Sequence, residues 1–197
     1  GIYKVNTSNS DNEPIVTKVY EGKTDNLAIR NDTLYFTNKE NFICELNLTT
    51  NKSSIILNEK VHEFIVDNNK IYCTINGLIN DYIGYIDLSL SNPDVVKLTE
   101  AAGEYLNVKN GNLYYNYTDL YSHVDPTKKG IWKIDLSTNK LTQIFATENV
   151  NGFDVESNDS IIYINTNDLH LYRYNISKNI NTDLLRNFVI PEVTPIN

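Results

Sequence analysis

The sequence predicts an all-β fold, and three observations predict it. Isoleucine, tyrosine and threonine, which suit pleated, half-buried surfaces, are abundant, and asparagine, aspartate and serine, which suit turns, supply much of the rest. Short runs of strand composition recur along all 197 residues. One order of turn, aromatic strand and Asx-closed strand also returns in phase, most clearly from Asn110 to Phe145. Helix is nearly absent; Thr99–Tyr105 is the one segment expected to hold a helical turn.

The repeat is aligned on a strand that ends in Asn or Asp: Ile2–Asn6, Ile43–Asn47, Ile83–Asp87, Ile131–Asp135 and Leu171–Asn175. These closing residues recur about every forty to fifty positions, the period of a blade-sized unit. Each precedes a turn rich in Ser, Thr and Asn, where an Asx side chain can accept a bond from the backbone two residues on. This is position c of the unit. Position d follows as Ile15–Val19, Ile55–Leu57, Val95–Leu98, Leu141–Phe145 and Asp183–Leu185, and position a as Leu27–Ile29, Phe64–Val66, Leu106–Val108 and Phe153–Val155. Asn31-Asp32, Asn68-Asn69, Asn110-Gly111 and Asn158-Asp159 are two-residue turns that accept positive φ and make hairpins. They lead into position b, which carries Leu34-Tyr35-Phe36, Ile71-Tyr72-Cys73, Leu113-Tyr114-Tyr115 and Ile162-Tyr163-Ile164.

Four strands per unit predict a β-propeller of four-stranded antiparallel blades, about five of them or part of a larger ring. The units are 1–22 (positions c and d only), 23–60, 61–101, 102–148 and 149–187, followed by a tail, 188–197. A β-sandwich has similar strand spacing, but it does not require one motif order to return four times in phase. Closure is open between two arrangements. The tail can add Phe188-Val189-Ile190 to the first unit, or the chain is a piece of a larger propeller whose edges meet another chain. Gly1 leads at once into strand-like sequence and reads as a trimmed or engineered start, so compartment has to be inferred indirectly.

Composition narrows the partners. A net charge of −8 argues against a nucleic-acid backbone, which needs a basic stripe. No apolar run is long enough to span a bilayer. Cys44 and Cys73 fall on strands of neighbouring units and read as buried free thiols.

Tyr35-Phe36-Thr37-Asn38 on position b and Ile131–Leu136 on position c resemble the YWTD-type propeller repeats of lipoprotein-receptor ectodomains. They are closer still to a bacterial receptor-like β-propeller family of unknown function, common in clostridial secreted proteins. The Trp of that motif is replaced at every position b, and its final Asp is Asn38, Asn116 or Asn165. The resemblance implies a secreted or cell-surface bacterial protein.

Candidate sites follow from the loop face of such a fold, where the d–a and b–c connections emerge. Glu21, Glu59, Glu100 and Glu148 follow position d at equivalent places. Four carboxylates at a channel mouth could hold a cation or meet a basic partner, and exposed turns of an acidic protein also collect such residues without a role. Tyr82, Tyr117 and Tyr121 sit in loops of that face and could stack on a sugar or peptide. Tyr35, Tyr72, Tyr114 and Tyr163 are expected in the core, as are Tyr85, Trp132 and Tyr172. In the longest b–c connection Asp119, Tyr121, His123 and Asp125 alternate, so an extended loop would turn them to one side. Asp119, His123 and Asp125 are candidate ligands of a divalent cation, although a zinc site wants a cleaner spacing; no other cofactor is implied. Asn167, Asp168 and His170 hold the corresponding place one unit later.

Catalytic signatures are missing: there is no Gly-x-Ser-x-Gly elbow, no phosphate-cradling glycine loop and no His-Glu-x-x-His. The expectation is a non-catalytic binding scaffold for a protein, peptide or glycan. A hydrolase or lyase built on the same loops is the alternative, and a structural module joined through sheet edges is a third.

Overall fold

The computed structural model describes residues 1–6, 14–77, 81–117, 128–147 and 150–186. Among the described residues eighteen strands form five sheets, and within each sheet strands that follow one another in the chain are neighbours. β1 (Ile2–Asn6) and β2 (Ile15–Tyr20) make a two-stranded sheet. β3 (Asp25–Arg30), β4 (Thr33–Thr37), β5 (Ile43–Asn47) and β6 (Lys52–Leu57) make the first sheet of four. β7 (Val61–Asp67), β8 (Lys70–Ile75), β9 (Tyr82–Asp87) and β10 (Val96–Thr99) make the second. The third holds β11 (Gly103–Lys109), β12 (Asn112–Tyr117), β13 (Gly130–Asp135) and β14 (Leu141–Phe145), and the fourth β15 (Val150–Ser157), β16 (Ser160–Asn165), β17 (Leu171–Asn175) and β18 (Ile180–Asp183).

Positions a to d thus exist in each complete sheet, with two corrections. The last d strand lies at Ile180–Asp183 rather than 183–185. Asn175 Oδ1 accepts the Lys178 N–H and Asn179 takes φ 52°, so the chain reverses sooner than the apolar run suggests. Thr99–Tyr105 holds no helical turn; it is shared between the end of β10 and the start of β11.

The Asx residues that close position c each cap the turn after them in the complete sheets, Asn47, Asp87 and Asp135 through the second residue on, as expected, and Asn175 through the third. Asn47 Oδ1 accepts from Thr49 and Thr50, Asp87 Oδ1 from Ser89, and Asp135 Oδ1 from Ser137 and Thr138. Three of these turns end four residues later in a left-handed asparagine, Asn51, Asn139 or Asn179, a conformation asparagine tolerates. The residue after each closing Asx then donates its N–H to the carbonyl of the second a–b turn residue: Leu48 to Asp32, Leu88 to Asn69, Leu136 to Gly111 and Ile176 to Asp159. One hydrogen bond repeated in four sheets ties both turns of that end together.

The a–b turns differ in detail. Asn110 and Gly111 are both left-handed, the type I′ pattern, whereas only the first residue is left-handed at Asn31 and Asn68. Neither Asn158 nor Asp159 has positive φ. Asp159 instead bonds Ser177 and Asn175 across the end of the sheet.

The described residues divide into two compact units, one ending at Leu106 and the other beginning at Asn107. In the first, sheets pack face to face. Ile2, Val19 and Tyr20 lie on Phe36, Cys44 and Leu46, and Tyr35, Ile43 and Leu57 lie on Val61, Ile71, Cys73 and Ile86. In the second, Ile131, Ile144 and Phe145 pack on Val150, Ile161, Tyr163 and Tyr174. Each such side chain contributes about 1.5–3 kcal/mol on burial. The position-b tyrosines, Tyr35, Tyr72, Tyr114 and Tyr163, are all buried. Tyr85 and Tyr172 pack on Tyr72 and Tyr163, and Trp132 donates its indole N–H to the Lys128 carbonyl. Both cysteines are buried and free, and burial pushes the Cys73 thiol up to about 12. Among the described residues no helix is long and apolar enough to cross a membrane.

Candidate functional site

The site is built where β3 and β7, the first strands of two neighbouring sheets, lie side by side in the first unit. Each strand breaks register near its start, between Asp25 and Leu27 and between Val61 and Glu63. The residues left over are Asn26 and His62. A bulge of this kind leaves one residue unpaired and re-aims its side chain. Asn26 takes φ 48° and donates from Nδ2 to the His62 carbonyl at 2.9 Å. The Thr37 hydroxyl, buried beside it, donates to the Asp25 carbonyl at 2.7 Å. The backbone of His62 is therefore pinned from the neighbouring sheet.

His62 Nε2 lies 3.0 Å from Asp81 Oδ2, just before β9. The Asp81 side chain is 3% exposed and that of His62 32%. Asp81 Oδ1 is buried and meets no hydrogen-bond donor among the described residues. An ionised carboxylate only accepts, so Nε2 carries the proton that it donates to Asp81. The result is an imidazole ring fixed from two sides and about a third exposed, paired with a buried acid.

Acidic and aromatic groups stand on the strands that carry and flank the pair. Glu63, next on β7, accepts the Leu106 N–H at 2.7 Å; burial raises its carboxyl against the lowering by that bond and by the Tyr105 N–H. Tyr105 holds φ 59°, a costly conformation for a bulky residue. The Thr74 hydroxyl donates to the Gly103 carbonyl at 2.6 Å and secures the start of β11. The Tyr82 hydroxyl donates to Glu59 at 3.3 Å, and burial, reinforced by the Glu59 charge, pushes its phenol up to about 12. Lys97 Nζ stands 4.7 Å from the centre of the Tyr82 ring and also pairs with Glu100.

Three expected contacts, Glu59, Tyr82 and Glu100, are thereby linked, with Lys97 as the connector. Glu21 pairs instead with Lys18 at 2.5 Å and is well exposed. Tyr117 ends β12 opposite Gly130, in the second unit. Glu148, Tyr121, Asp119, His123 and Asp125 lie outside the described residues. Among the described residues no group of three or more His, Cys, Asp and Glu is placed to hold a metal ion. Asn167, Asp168 and His170 form a local turn: Asn165 Oδ1 caps Asn167, Asp168 caps His170, and His170 Nδ1 meets Asp183 Oδ2 at 2.9 Å.

The His62–Asp81 pair is not legible from local spacing, because the two residues are 19 positions apart. The repeat holds the signal: β7 pairs with β8 through Val61 and Ile75, and β8 with β9 through Ile75 and Tyr82. That register brings the residue before position c beside the start of position a.

No family model matches the chain, and no curated protein matches it in sequence. Solved structures do match in shape. The structure of a nidogen/laminin complex superposes with a TM-score of 0.61 at 10% identity, over 88% of this chain and 68% of that one. An oligogalacturonate lyase in complex with manganese gives 0.59 at 11% identity, over 86% and 55%. The computationally designed Ika4 protein gives 0.55 at 10% identity, over 80% and 93%. The first two pair one fold with a binding complex and with a lyase, so the fold alone does not name a function. Five antiparallel sheets in chain order, together with these likenesses, identify the chain as a β-propeller of about five blades.

Proposed function

We propose that the chain is a non-catalytic binding propeller that takes a protein or peptide at the end of the first unit carrying Glu59, Tyr82, Lys97 and Glu100. The observation that supports this reading is the charged frame around a half-buried tyrosine: a ring held by one carboxylate and one ammonium. Aromatic anchors bordered by polar groups are the usual centre of a recognition surface. A glycan is the less favoured ligand, because the Tyr82 hydroxyl is engaged by Glu59 and Lys97 already covers ring surface that a sugar would use. The resemblance to receptor-like repeats supports a secreted or cell-surface bacterial setting.

Peptide and glycan arrays probed with the purified chain test the reading. A peptide ligand is expected, and Tyr82→Ala should weaken it about thirtyfold, the loss of a hot-spot tyrosine worth about 2 kcal/mol. Ligands found only among glycans, or a peptide indifferent to Tyr82→Ala, would overturn it.

A further inference from the structure

We propose that the first unit carries a dimer surface. Two copies of this chain pack about a twofold axis that runs along β1, each laying its β1–β2 sheet on the uncovered half of the other's first sheet of four. This goes beyond the peptide reading and does not depend on it.

The repeat shows which apolar surface is left over. In the second sheet of four, Phe64 and Val66 at position a pack on the core shared with the sheet before it. Leu27 and Ile29 hold those places in the first sheet of four and are 60% and 66% exposed. They pair with Phe36 and Leu34, and so share a face with them. On that face β1 and β2, at positions c and d, cover Phe36, Cys44 and Leu46. Among the described residues β1 pairs with β2 alone, so nothing takes positions a and b beside it. A notch two strands wide is left over Leu27 and Ile29.

The β1–β2 sheet has the converse surplus. Ile2, Val19 and Tyr20 lie on the first sheet of four, whereas Tyr3, Val5 and Val16 are exposed. Val5 is paired with Val16 and stands two residues from Tyr3, so the three share the face turned away. Val5 is 51% exposed, while Leu46, Ile86, Ile134 and Tyr174, at the same place of position c, are at most 5% exposed. Every complete sheet buries the side chain that β1 shows.

A notch two strands wide and a two-stranded sheet with one bare face are the two halves of a single contact. Both face the same way, so one copy cannot close them on itself. A second copy, turned over about an axis along β1, closes both at once. Its β1 and β2 take positions b and a, which completes a sheet of four like the others. Its bare face then lies on Leu27 and Ile29, and symmetry makes the reverse contact. Ile29 stands second from the end of β3 and Val16 second from the start of β2, both at the rim of the a–b and c–d turns. Ile29 of one copy therefore meets Val16 of the other. The contact is isologous and stops at two, covering an open strand edge and an apolar patch that otherwise invite open-ended association.

Sedimentation equilibrium of the full chain from about 1 μM to about 1 mM tests the proposal. A monomer–dimer equilibrium is expected, strengthened by sulfate because the contact is apolar. Val16→Lys and Ile29→Glu should each weaken it about a hundredfold, since either one buries an unpaired charge at both symmetric contacts. An equimolar mixture of these two variants should recover dimers: one contact then pairs the two new charges and the other is unaltered. Ile180→Glu, at an exposed isoleucine of the second unit, should change nothing. The wild-type dilution series decides the matter even if a variant fails to fold. A chain that stays monomeric throughout, or that associates beyond the dimer, overturns the proposal. So do dimers indifferent to both variants, variants whose mixture does not recover, and dimers that form only once residues 188–197 are removed.

Discussion

Among the described residues the two units each hold one histidine–aspartate pair, and the pairs share residue types and separation but differ in burial and setting. His62–Asp81 and His170–Asp183 have nearly equal separations, 3.0 and 2.9 Å. Asp183 ends β18: its side chain is 18% exposed, its second oxygen caps Leu185, and His170 is 44% exposed. Asp81 is 3% exposed and its second oxygen is unmatched. His170 follows the local turn before β17 and reaches a residue in its own hairpin. The bulge of β7 presents His62, and an asparagine from another sheet pins it. Burial and leftover hydrogen-bonding capacity, rather than residue identity, separate a surface clasp from a site with chemistry to spare.

The sharpest way to break this comparison is to remove each imidazole. His62→Ala strands Asp81 and should cost about 2–3 kcal/mol, less than a fully buried pair because the ring is a third exposed. His170→Ala should shift the urea midpoint far less, and equal shifts would erase the distinction. A smaller effect is expected of Asp81→Asn, which keeps an acceptor for His62 but buries an amide with unpaired N–H groups, a loss of about 1 kcal/mol. If Asp81→Asn costs as much as His62→Ala, Oδ1 has a donor in solution.

The smallest effect belongs to Asp183→Asn and is a matter of pH. His170 is raised, first by its bond to Asp183, so its contribution is complete below the ordinary histidine range and is lost as pH rises through the raised value. Asp183 is lowered, first by its bond to His170, so its contribution is complete above the ordinary carboxylate range and is lost as pH falls through the lowered value. The wild-type advantage over Asp183→Asn in urea midpoint should therefore peak between about pH 4 and pH 6.5 and shrink on both sides. A difference that does not vary with pH would show the pair is unformed.

Most of the fold can be read in the sequence because its signals are local. An Asx side chain caps the turn directly after it, and apolar and aromatic residues mark the buried b strands, as Asn47, Asp87, Asp135 and the four position-b tyrosines bear out. Short-range competition blurs the boundaries: the Asn175 turn closes early, and Gly103 enters β11 where composition suggests a helical turn. The site is only half legible. Glu59, Glu100 and Tyr82 stand at repeat-equivalent or loop positions, whereas Lys97, His62 and Asp81 acquire their roles only through strand register and the bulge. A bulge leaves no mark in composition, and an unmatched oxygen leaves none either.

The hydrogen bond that ties the a–b and c–d turns in all four complete sheets has a consequence for how the chain can vary. Each sheet is fastened at that rim by its own residues, so changes of length there would undo the fastening. Insertions are channelled to the opposite rim, where the connection from Tyr117 to Gly130 already exceeds its counterparts. Diversity of recognition can therefore accumulate on one rim of each sheet while its other rim stays constant, and a foreign loop grafted between β12 and β13 would be displayed without loosening the sheet that carries it.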